Sequence, residues 1–248
     1  MMDFLPKGNS EFKFSQARLG SGTEIMVAIP EGEIKFGLVL IPDVFGLRPL
    51  VSDTISQIAS NSIAVIAVEP FSHMDQDPSQ LTREEKLSRV NELDDQIQCA
   101  DILAAGKILR EYHGCEKVGL IGFCIGGMYA FKTAGAGEFD SVISCYGMIT
   151  MPVDWQGPGQ KNAIEYLQLQ SCSPVLAIVG RKDEGFAKPD DVDNLEKVLS
   201  NGHHKNLGSR LDIYEEGEHA FMHDPDRAEY RVEDAKIAWS RAFEFMFN

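Results

Sequence analysis

A cysteine flanked by glycines lies near the middle of the chain, in the segment Val118-Gly119-Leu120-Ile121-Gly122-Phe123-Cys124-Ile125-Gly126-Gly127. An apolar run, a glycine-flanked residue and a second apolar run predict a strand, a sharp turn and a helix start, an arrangement that presents a nucleophile at the end of a sheet strand. The glycines tolerate strained torsion angles, and a helix N-terminus favours the thiolate form of cysteine. Cys124 is therefore the candidate nucleophile, and the backbone N–H of Ile125 is a candidate donor to an oxyanion.

A nucleophilic thiol needs a base and a group that orients the base, and two later segments supply them. The apolar run that ends at Val179 leads to Asp183, and the run that ends near Tyr214 leads to His219. The order nucleophile, acid, histidine is the order found in α/β-hydrolases. Taken singly, each residue is a weak signal, but all three follow predicted strands in this order. The sequence therefore predicts a Cys124–His219–Asp183 triad.

An earlier strand end completes the predicted site. The run Phe36-Gly37-Leu38-Val39-Leu40-Ile41 leads into Pro42-Asp43-Val44-Phe45-Gly46. If this strand is parallel to the one before Cys124, both ends meet at the same edge of the sheet. We therefore expect the backbone N–H of Val44 to be the second donor to the oxyanion.

The elements that must position these residues alternate along the chain. Nearly continuous apolar runs are typical of strands that are buried on both faces of a parallel sheet. The predicted strands are 24–29, 36–41, 63–68, 117–121, 142–146, 175–179 and 211–214. Helical spacing of apolar residues predicts one helix from Arg83 to Arg110, with Thr82 and Glu85 as a capping box, and a last helix over 235–245. We expect a single α/β domain over residues 1–248, with the α/β-hydrolase fold: a mostly parallel, doubly wound sheet with helices on both faces.

Composition restricts the partners. The chain has 248 residues and a formal net charge of −15, which argues against a nucleic acid or an anionic membrane surface as partner. Five cysteines without a CxxC pair or metal-ligand spacing indicate reduced thiols, no metal site and a cytoplasmic location. The first seven residues do not have the pattern of a signal peptide, and no apolar run is long enough to span a membrane. We expect a monomer or a weak homodimer that acts on a small molecule.

The sequence resembles the dienelactone hydrolase family from about Glu24 to Phe247. The resemblance rests on Pro42-Asp43-Val44-Phe45-Gly46, the Cys124 motif with its following Gly-Gly, Cys145-Tyr146-Gly147, Gly180-Arg181-Lys182-Asp183 and Gly217-Glu218-His219-Ala220-Phe221. It implies hydrolysis of a lactone or ester through an acyl-cysteine intermediate, without a cofactor. In the best-known members the substrate is a carboxylated enol lactone from catechol degradation, as in carboxymethylenebutenolidase.

Two positions depart from that family pattern. Asp43 stands where the best-known members carry a glutamate that accepts the hydrogen bond of the resting thiol. His223 stands where they carry one of two arginines that hold the substrate carboxylate. The second arginine would come from the segment after Pro70, where Arg83 or Arg89 could serve. We therefore expect Asp43, Arg83 and His223 to be accessory or substrate-binding residues; for Asp43 the alternative is that it only braces its loop.

Three functions remain open at this point. The first is a lactone or ester hydrolase of the dienelactone hydrolase type. The second keeps the triad but acts on a thioester or a neutral carboxylic ester, because the arginine expected at position 223 is missing. The third is a binding protein without catalytic activity on a hydrolase scaffold. Trp155, in the irregular stretch 148–173, either lines a pocket or anchors its own loop.

Overall fold

The structure is a computed structural model that describes residues 8–247. The prediction that Met1–Lys7 lacks a signal peptide concerns residues outside that range. Within it, the strands are β1 (Phe12–Arg18), β2 (Glu24–Pro30), β3 (Phe36–Ile41), β4 (Ile63–Val68), β5 (Val118–Phe123), β6 (Ser141–Cys145), β7 (Val175–Gly180) and β8 (Arg210–Tyr214). The helices are α1 (Pro49–Ala59), α2 (Arg83–Ser88), α3 (Asp95–Glu111), α4 (Ile125–Ala134), α5 (Ala163–Leu167), α6 (Pro189–Leu199), α7 (Gly202–Asn206) and α8 (Val232–Phe247).

The strands form one sheet in the order β1-β2-β4-β3-β5-β6-β7-β8. β1 and β4 each pair antiparallel with β2, and the pairs from β4 across to β8 are parallel. After β3 the chain turns to β4 on one side, whereas after β5 it turns to β6 on the other. The strand order therefore reverses between β3 and β5, which is where open α/β sheets leave a crevice for ligands.

Hydrophobic cores cover both faces of the sheet. In β3, Leu38 and Leu40 pack with α1 and α8 on one face, while Val39 and Ile41 pack with α3, α4 and α6 on the other. β3, β4, β5, β6 and β7 are buried along their whole length, which explains their continuous apolar sequences. The mostly parallel, doubly wound sheet that the sequence predicts is confirmed.

The seven predicted strands are confirmed within two residues of their ends, but β1 was not predicted. β1 lies at the edge of the sheet and is almost wholly exposed, so it carries little of the apolar pattern that marks a strand. None of the helices in residues 8–247 combines the length and the apolar character needed to cross a bilayer.

The single helix predicted from Arg83 to Arg110 is wrong. α2 begins with the expected capping box of Thr82 and Glu85 but ends at Ser88, and α3 begins only at Asp95. The Asp94 carboxylate caps α3 by accepting hydrogen bonds from the backbone N–H groups of Gln96 and Ile97, which fixes a new helix start. The apolar face predicted for this helix is also not the one that α3 buries, because Ile97 is 43% exposed whereas Ile102, Ala105 and Leu109 are buried.

The turn between β5 and α4 leaves no room for a side chain at Gly126. A Cβ atom there would lie 2.3 Å from the carbonyl oxygen of Ile41. Alanine is about 1 kcal/mol better than glycine inside a helix, but overpacking against backbone costs about 3 kcal/mol, so the clash dominates. We expect Gly126→Ala to lower the free energy of unfolding by about 2 kcal/mol in urea titrations, the difference between those two terms.

The matched control is Gly20→Ala, because no atom lies within 4 Å of a Cβ built at Gly20. A Gly126→Ala variant as stable as Gly20→Ala would contradict the close backbone packing at this turn.

Candidate active site

Cys124 occupies a strained turn between β5 and α4. Its φ of 56° lies in the left-handed region, which a residue with a side chain rarely adopts. The turn is pressed between neighbouring strand ends: the Cys124 N–H donates to the Cys145 carbonyl at 3.0 Å, and a Cβ at Gly122 would lie 2.1 Å from the Gly126 carbonyl oxygen. The strain and the glycines together hold the thiol above the C-terminal edge of the sheet.

The loops that carry Asp183 and His219 are joined by backbone hydrogen bonds. The Lys182 N–H donates to the Gly217 carbonyl at 2.9 Å, and the Arg181 N–H donates to the Tyr214 carbonyl at 2.9 Å. Because Gly180 lacks a side chain, the end of β7 can lie against the backbone of the Gly217 turn. This contact brings the two side chains together from positions 36 residues apart.

The three predicted triad residues form one hydrogen-bonded chain. The Nε2 atom of His219 lies 3.0 Å from Sγ of Cys124, and its Nδ1 atom lies 2.6 Å from Oδ2 of Asp183. Asp183 is 3% exposed, and its Oδ1 accepts a hydrogen bond from the Phe186 N–H at 3.2 Å. The buried carboxylate is thus fixed on one side by backbone and on the other by the imidazole.

The electrostatics of these three hydrogen-bonded side chains favour the protonated form of His219. Burial lowers the pKa of His219, but attraction and hydrogen bonds from Cys124 and Asp183 outweigh that effect and raise the pKa to about 10. The arrangement can therefore hold a proton on the imidazole beside the sulfur.

The two predicted oxyanion donors border the same space. Ile125 is the first residue of α4, so its N–H has no partner within the helix. In the part of the chain that the structure describes, the Val44 N–H also makes no hydrogen bond. Two free N–H groups beside a thiol can stabilise negative charge on a substrate oxygen.

A cavity of about 190 Å³ opens at this point. Most of its lining side chains are apolar or aromatic, and two are arginines. Its lining consists of Val44, Arg83, Leu87, Val90, Cys124, Ile125, Met148, Trp155, Phe186, His219 and Arg227. Trp155 therefore lines a pocket, where its ring lies 5.6 Å from that of Phe186.

In the structure, Asp43 belongs to a hydrogen-bond network apart from the thiol. Its carboxylate, 1% exposed, does not accept a hydrogen bond from the thiol. It accepts hydrogen bonds from Arg48 at 2.6 Å, from His223 at 2.9 Å, from Arg227 at 3.0 Å and from the Phe45 N–H at 3.1 Å. Burial raises the pKa of Asp43, but hydrogen bonds and attraction from His223 and Arg48 dominate and lower it. Asp43 is one methylene shorter than glutamate and stays with these hydrogen-bond donors.

The position of His223 also differs from the expectation of a substrate contact. His223 is 7% exposed and lies below the cavity rather than on its wall. Burial lowers the pKa of His223, so the neutral ring donates Nε2–H to Asp43 and accepts at Nδ1 from the Tyr146 hydroxyl, 2.5 Å away. A neutral buried imidazole cannot replace an arginine as a partner for a carboxylate.

The structure distinguishes between Arg83 and Arg89, the two candidates for the arginine that would hold a substrate carboxylate. Arg89 is engaged by Glu92 at 2.8 Å and Asp75 at 2.6 Å, whereas Arg83 is exposed, lines the cavity and has no ion pair within residues 8–247. Sequence reasoning missed Arg227, which lines the cavity while it binds Asp43. The sequence feature that could have identified Arg227 was a cation eight residues after His219, in a segment rich in acidic residues.

Within the described residues, no group of three or more histidines, cysteines and carboxylates is placed to hold a metal ion. The donors at the site are a thiol, one imidazole, one carboxylate and two backbone N–H groups. This set suits acyl transfer.

Two curated proteins are similar to this chain over most of its length. A Bradyrhizobium sp protein named probable 2-oxo-3-(5-oxofuran-2-ylidene)propanoate lactonase is 24% identical over 213 residues, which cover 84% of this chain and 82% of that one. A carboxymethylenebutenolidase from Rhodococcus opacus is 25% identical over 217 residues, 84% of this chain and 79% of that one.

A solved structure shows the same fold. It belongs to a Klebsiella pneumoniae protein that carries a provisional assignment as a dienelactone hydrolase, and it superposes with a TM-score of 0.76 at 20% identity, over 96% of this chain and 99% of that one. The α/β-hydrolase fold predicted from the sequence is thereby confirmed. The family model of the dienelactone hydrolases matches residues 24–248, and the chain belongs to the dienelactone hydrolase family.

Proposed function

We propose that the protein hydrolyses a lactone or carboxylic ester through a Cys124–His219–Asp183 triad and an acyl-cysteine intermediate. The observation that carries the proposal is the continuous hydrogen-bonded chain from Sγ of Cys124 through His219 to Asp183, at the wall of a cavity. Thiol, base and orienting carboxylate are within the distances that nucleophilic catalysis needs.

In the first half of the reaction, the sulfur of Cys124 attacks the substrate carbonyl. The carbonyl electron pair moves to oxygen, where the N–H groups of Val44 and Ile125 stabilise it. When the tetrahedral intermediate collapses, the C–O bond breaks and His219 gives its proton to the leaving oxygen. Asp183 keeps the imidazole in the orientation that both proton transfers require.

In the second half, water replaces the sulfur. His219 takes a proton from the water, the hydroxide adds to the acyl carbon, and the C–S bond breaks as the carboxylic acid leaves. For a lactone, both products of the cleaved bond remain in one molecule. The same two N–H groups serve the second oxyanion, so one site performs both steps.

For the substrate we propose a small lactone that carries a carboxylate. The names of the Bradyrhizobium and Rhodococcus relatives both denote unsaturated five-membered lactones with an acid group. Arg83 and Arg227 line the cavity beside Cys124, and guanidinium groups bind carboxylates well. The volume of about 190 Å³ limits the substrate to a small molecule.

A neutral ester or thioester is the second candidate. It is favoured by the apolar side of the cavity, where Leu87, Val90, Met148, Trp155 and Phe186 face the thiol. An acyl group without charge would bury its surface there. The two candidates share the triad and differ in their need for Arg83.

Replacement of the nucleophile tests the reaction itself. We expect Cys124→Ala to lower kcat/KM for 4-nitrophenyl acetate at least about 10⁴-fold, because the attacking atom is removed. Cys99→Ala, in the middle of α3, is the matched control and keeps the wild-type rate. Hydrolysis that continues at the wild-type rate in Cys124→Ala would contradict Cys124 as the nucleophile, whereas a wild-type protein that hydrolyses no ester or lactone would favour a binding protein on a hydrolase scaffold.

The protonation of His219 provides a second test. A pKa near 10 means that the imidazole stays protonated at pH 8 and loses its proton as the pH rises through 10. Because charge and hydrogen bonding at Cys124 help to raise this pKa, Cys124→Ala should lower it. NMR titration of ¹⁵N-histidine-labelled protein measures both values, with Cys99→Ala as control. An equal His219 pKa in both variants would show that the thiol does not couple to the imidazole.

Substitution of Arg83 distinguishes the two substrate classes. A charged hydrogen bond contributes about 1.5–3 kcal/mol, so Arg83→Met should reduce kcat/KM for a carboxymethylene butenolide about 10- to 100-fold. The same variant should hydrolyse 4-nitrophenyl acetate as fast as the wild type, since that ester carries no carboxylate. Equal effects on both substrates would contradict carboxylate recognition by Arg83.

A further inference from the structure

In the loop after β3, residues 43–47, three successive backbone N–H groups donate hydrogen bonds. The Gly46 N–H donates to the Asp43 carbonyl at 2.9 Å, and the Phe45 N–H donates to Oδ1 of Asp43 at 3.1 Å. The Leu47 N–H donates to Oε2 of Glu69 at 2.6 Å. The Val44 N–H makes no hydrogen bond within the described residues, and Val44 borders the cavity. The direction of this one N–H depends on how the loop is held.

A lysine holds the loop from the opposite side. Nζ of Lys86 donates to the Phe45 carbonyl at 2.9 Å, and the side chain is 4% exposed. The ammonium also lies 5.5 Å from the centre of the Phe71 ring. A charged donor is stronger than a neutral one, and a buried lysine that lost this acceptor would be left with a costly unpaired charge. The contact therefore restrains the Phe45 peptide strongly.

Lys86 belongs to the same short helix that lines the cavity. Arg83 and Leu87 of α2 face the cavity, whereas Lys86 points to the loop. The helix start is fixed independently by the capping box of Thr82 and Glu85. Loss of the Lys86 bond would thus remove the restraint on the Phe45 carbonyl while the helix start keeps its own support.

We propose that Lys86 is a positioning residue for the oxyanion hole: by holding the Phe45 carbonyl, it keeps the Val44 N–H aimed at the oxygen of the tetrahedral intermediate. This inference rests on the proposed function, in which Val44 stabilises that oxygen. Lys86 does not touch the substrate. It acts through the loop, so its effect belongs to the transition state and not to substrate binding.

The kinetic test compares Lys86→Met with Lys86→Arg. Methionine fills similar space without a donor, and arginine keeps the charge and the donor. Misplacing a catalytic group by about 1 Å costs up to about 100-fold, so we expect Lys86→Met to lower kcat for 4-nitrophenyl acetate about 10- to 100-fold with KM unchanged. Lys86→Arg should recover most of the rate. Lys197→Met, at an exposed position of α6, is the control and should keep the wild-type rate.

A second readout separates positioning from a general structural role. Butyraldehyde adds to Cys124: the S–C bond forms, the C=O pair moves to oxygen, and the thiol proton passes through His219 to that oxygen. The resulting hemithioacetal oxygen lies in the oxyanion hole, whereas butyrate binds without forming this bond. We expect Lys86→Met to weaken inhibition by butyraldehyde by the same factor as kcat falls, and to leave inhibition by butyrate unchanged.

Each other outcome overturns the proposal. Equal loss for butyraldehyde and butyrate would make Lys86 a support of the cavity wall, and no loss for either would leave it without a role in catalysis. A Lys86→Met protein that melts well below the wild type, with no rescue by arginine, would show a stability role only. An inactive wild type, or full activity in Cys124→Ala, would refute the proposed function and this inference with it, whereas unchanged Lys86→Met activity beside an inactive Cys124→Ala would refute the inference alone.

Discussion

The close approach of backbone segments at the β5–α4 turn is the constraint on which the site depends. Gly122 lets the end of β5 lie against the start of α4, where a Cβ would fall 2.1 Å from the Gly126 carbonyl oxygen. Gly126 lets the turn lie against the end of β3, where a Cβ would fall 2.3 Å from the Ile41 carbonyl oxygen. Only this contact places Cys124 next to the loop that carries Val44. The turn is strained at Cys124, and the sheet must hold it because the isolated segment would relax to another conformation. The fold thus supplies the geometry that the thiol chemistry uses.

A second constraint is electrostatic and concerns Asp43. The carboxylate is buried among Arg48, Arg227 and His223, and it joins the loop after β3 to the loop after β8. Two arginines also lie over the Phe45 ring, at 4.8 and 5.2 Å from its centre. A buried carboxylate is stable only when paired, so Arg48 and Arg227 cannot easily leave. The loop with Val44 and the loop with His219 are therefore held in one arrangement.

The sequence predicts the central features because they depend on local pattern. Buried strands are continuously apolar, and the triad residues follow strand ends in a recognisable order, so both can be read without coordinates. The remaining features depend on tertiary contacts. β1 is exposed, the helix break before Asp95 is set by capping at Asp94, and His223 is buried by packing of its ring 5.0 Å from that of Phe123. The place of Arg227 in the cavity wall depends on Asp43, a partner 184 residues away.

The charge balance of the cavity explains why Arg83 and Arg227, the two arginines that line it, are not equivalent. Arg227 neutralises Asp43, so part of its charge and one Nη group are already used inside the protein. Arg83 carries no such partner in the described residues and stands exposed at the cavity. With a neutral His223 in place of a cation, net attraction for an anionic group comes mainly from Arg83. In the proposed reaction, the position of this one surface arginine, about one helical turn from Leu87, would therefore set the preference for an anionic substrate more than Cys124 does.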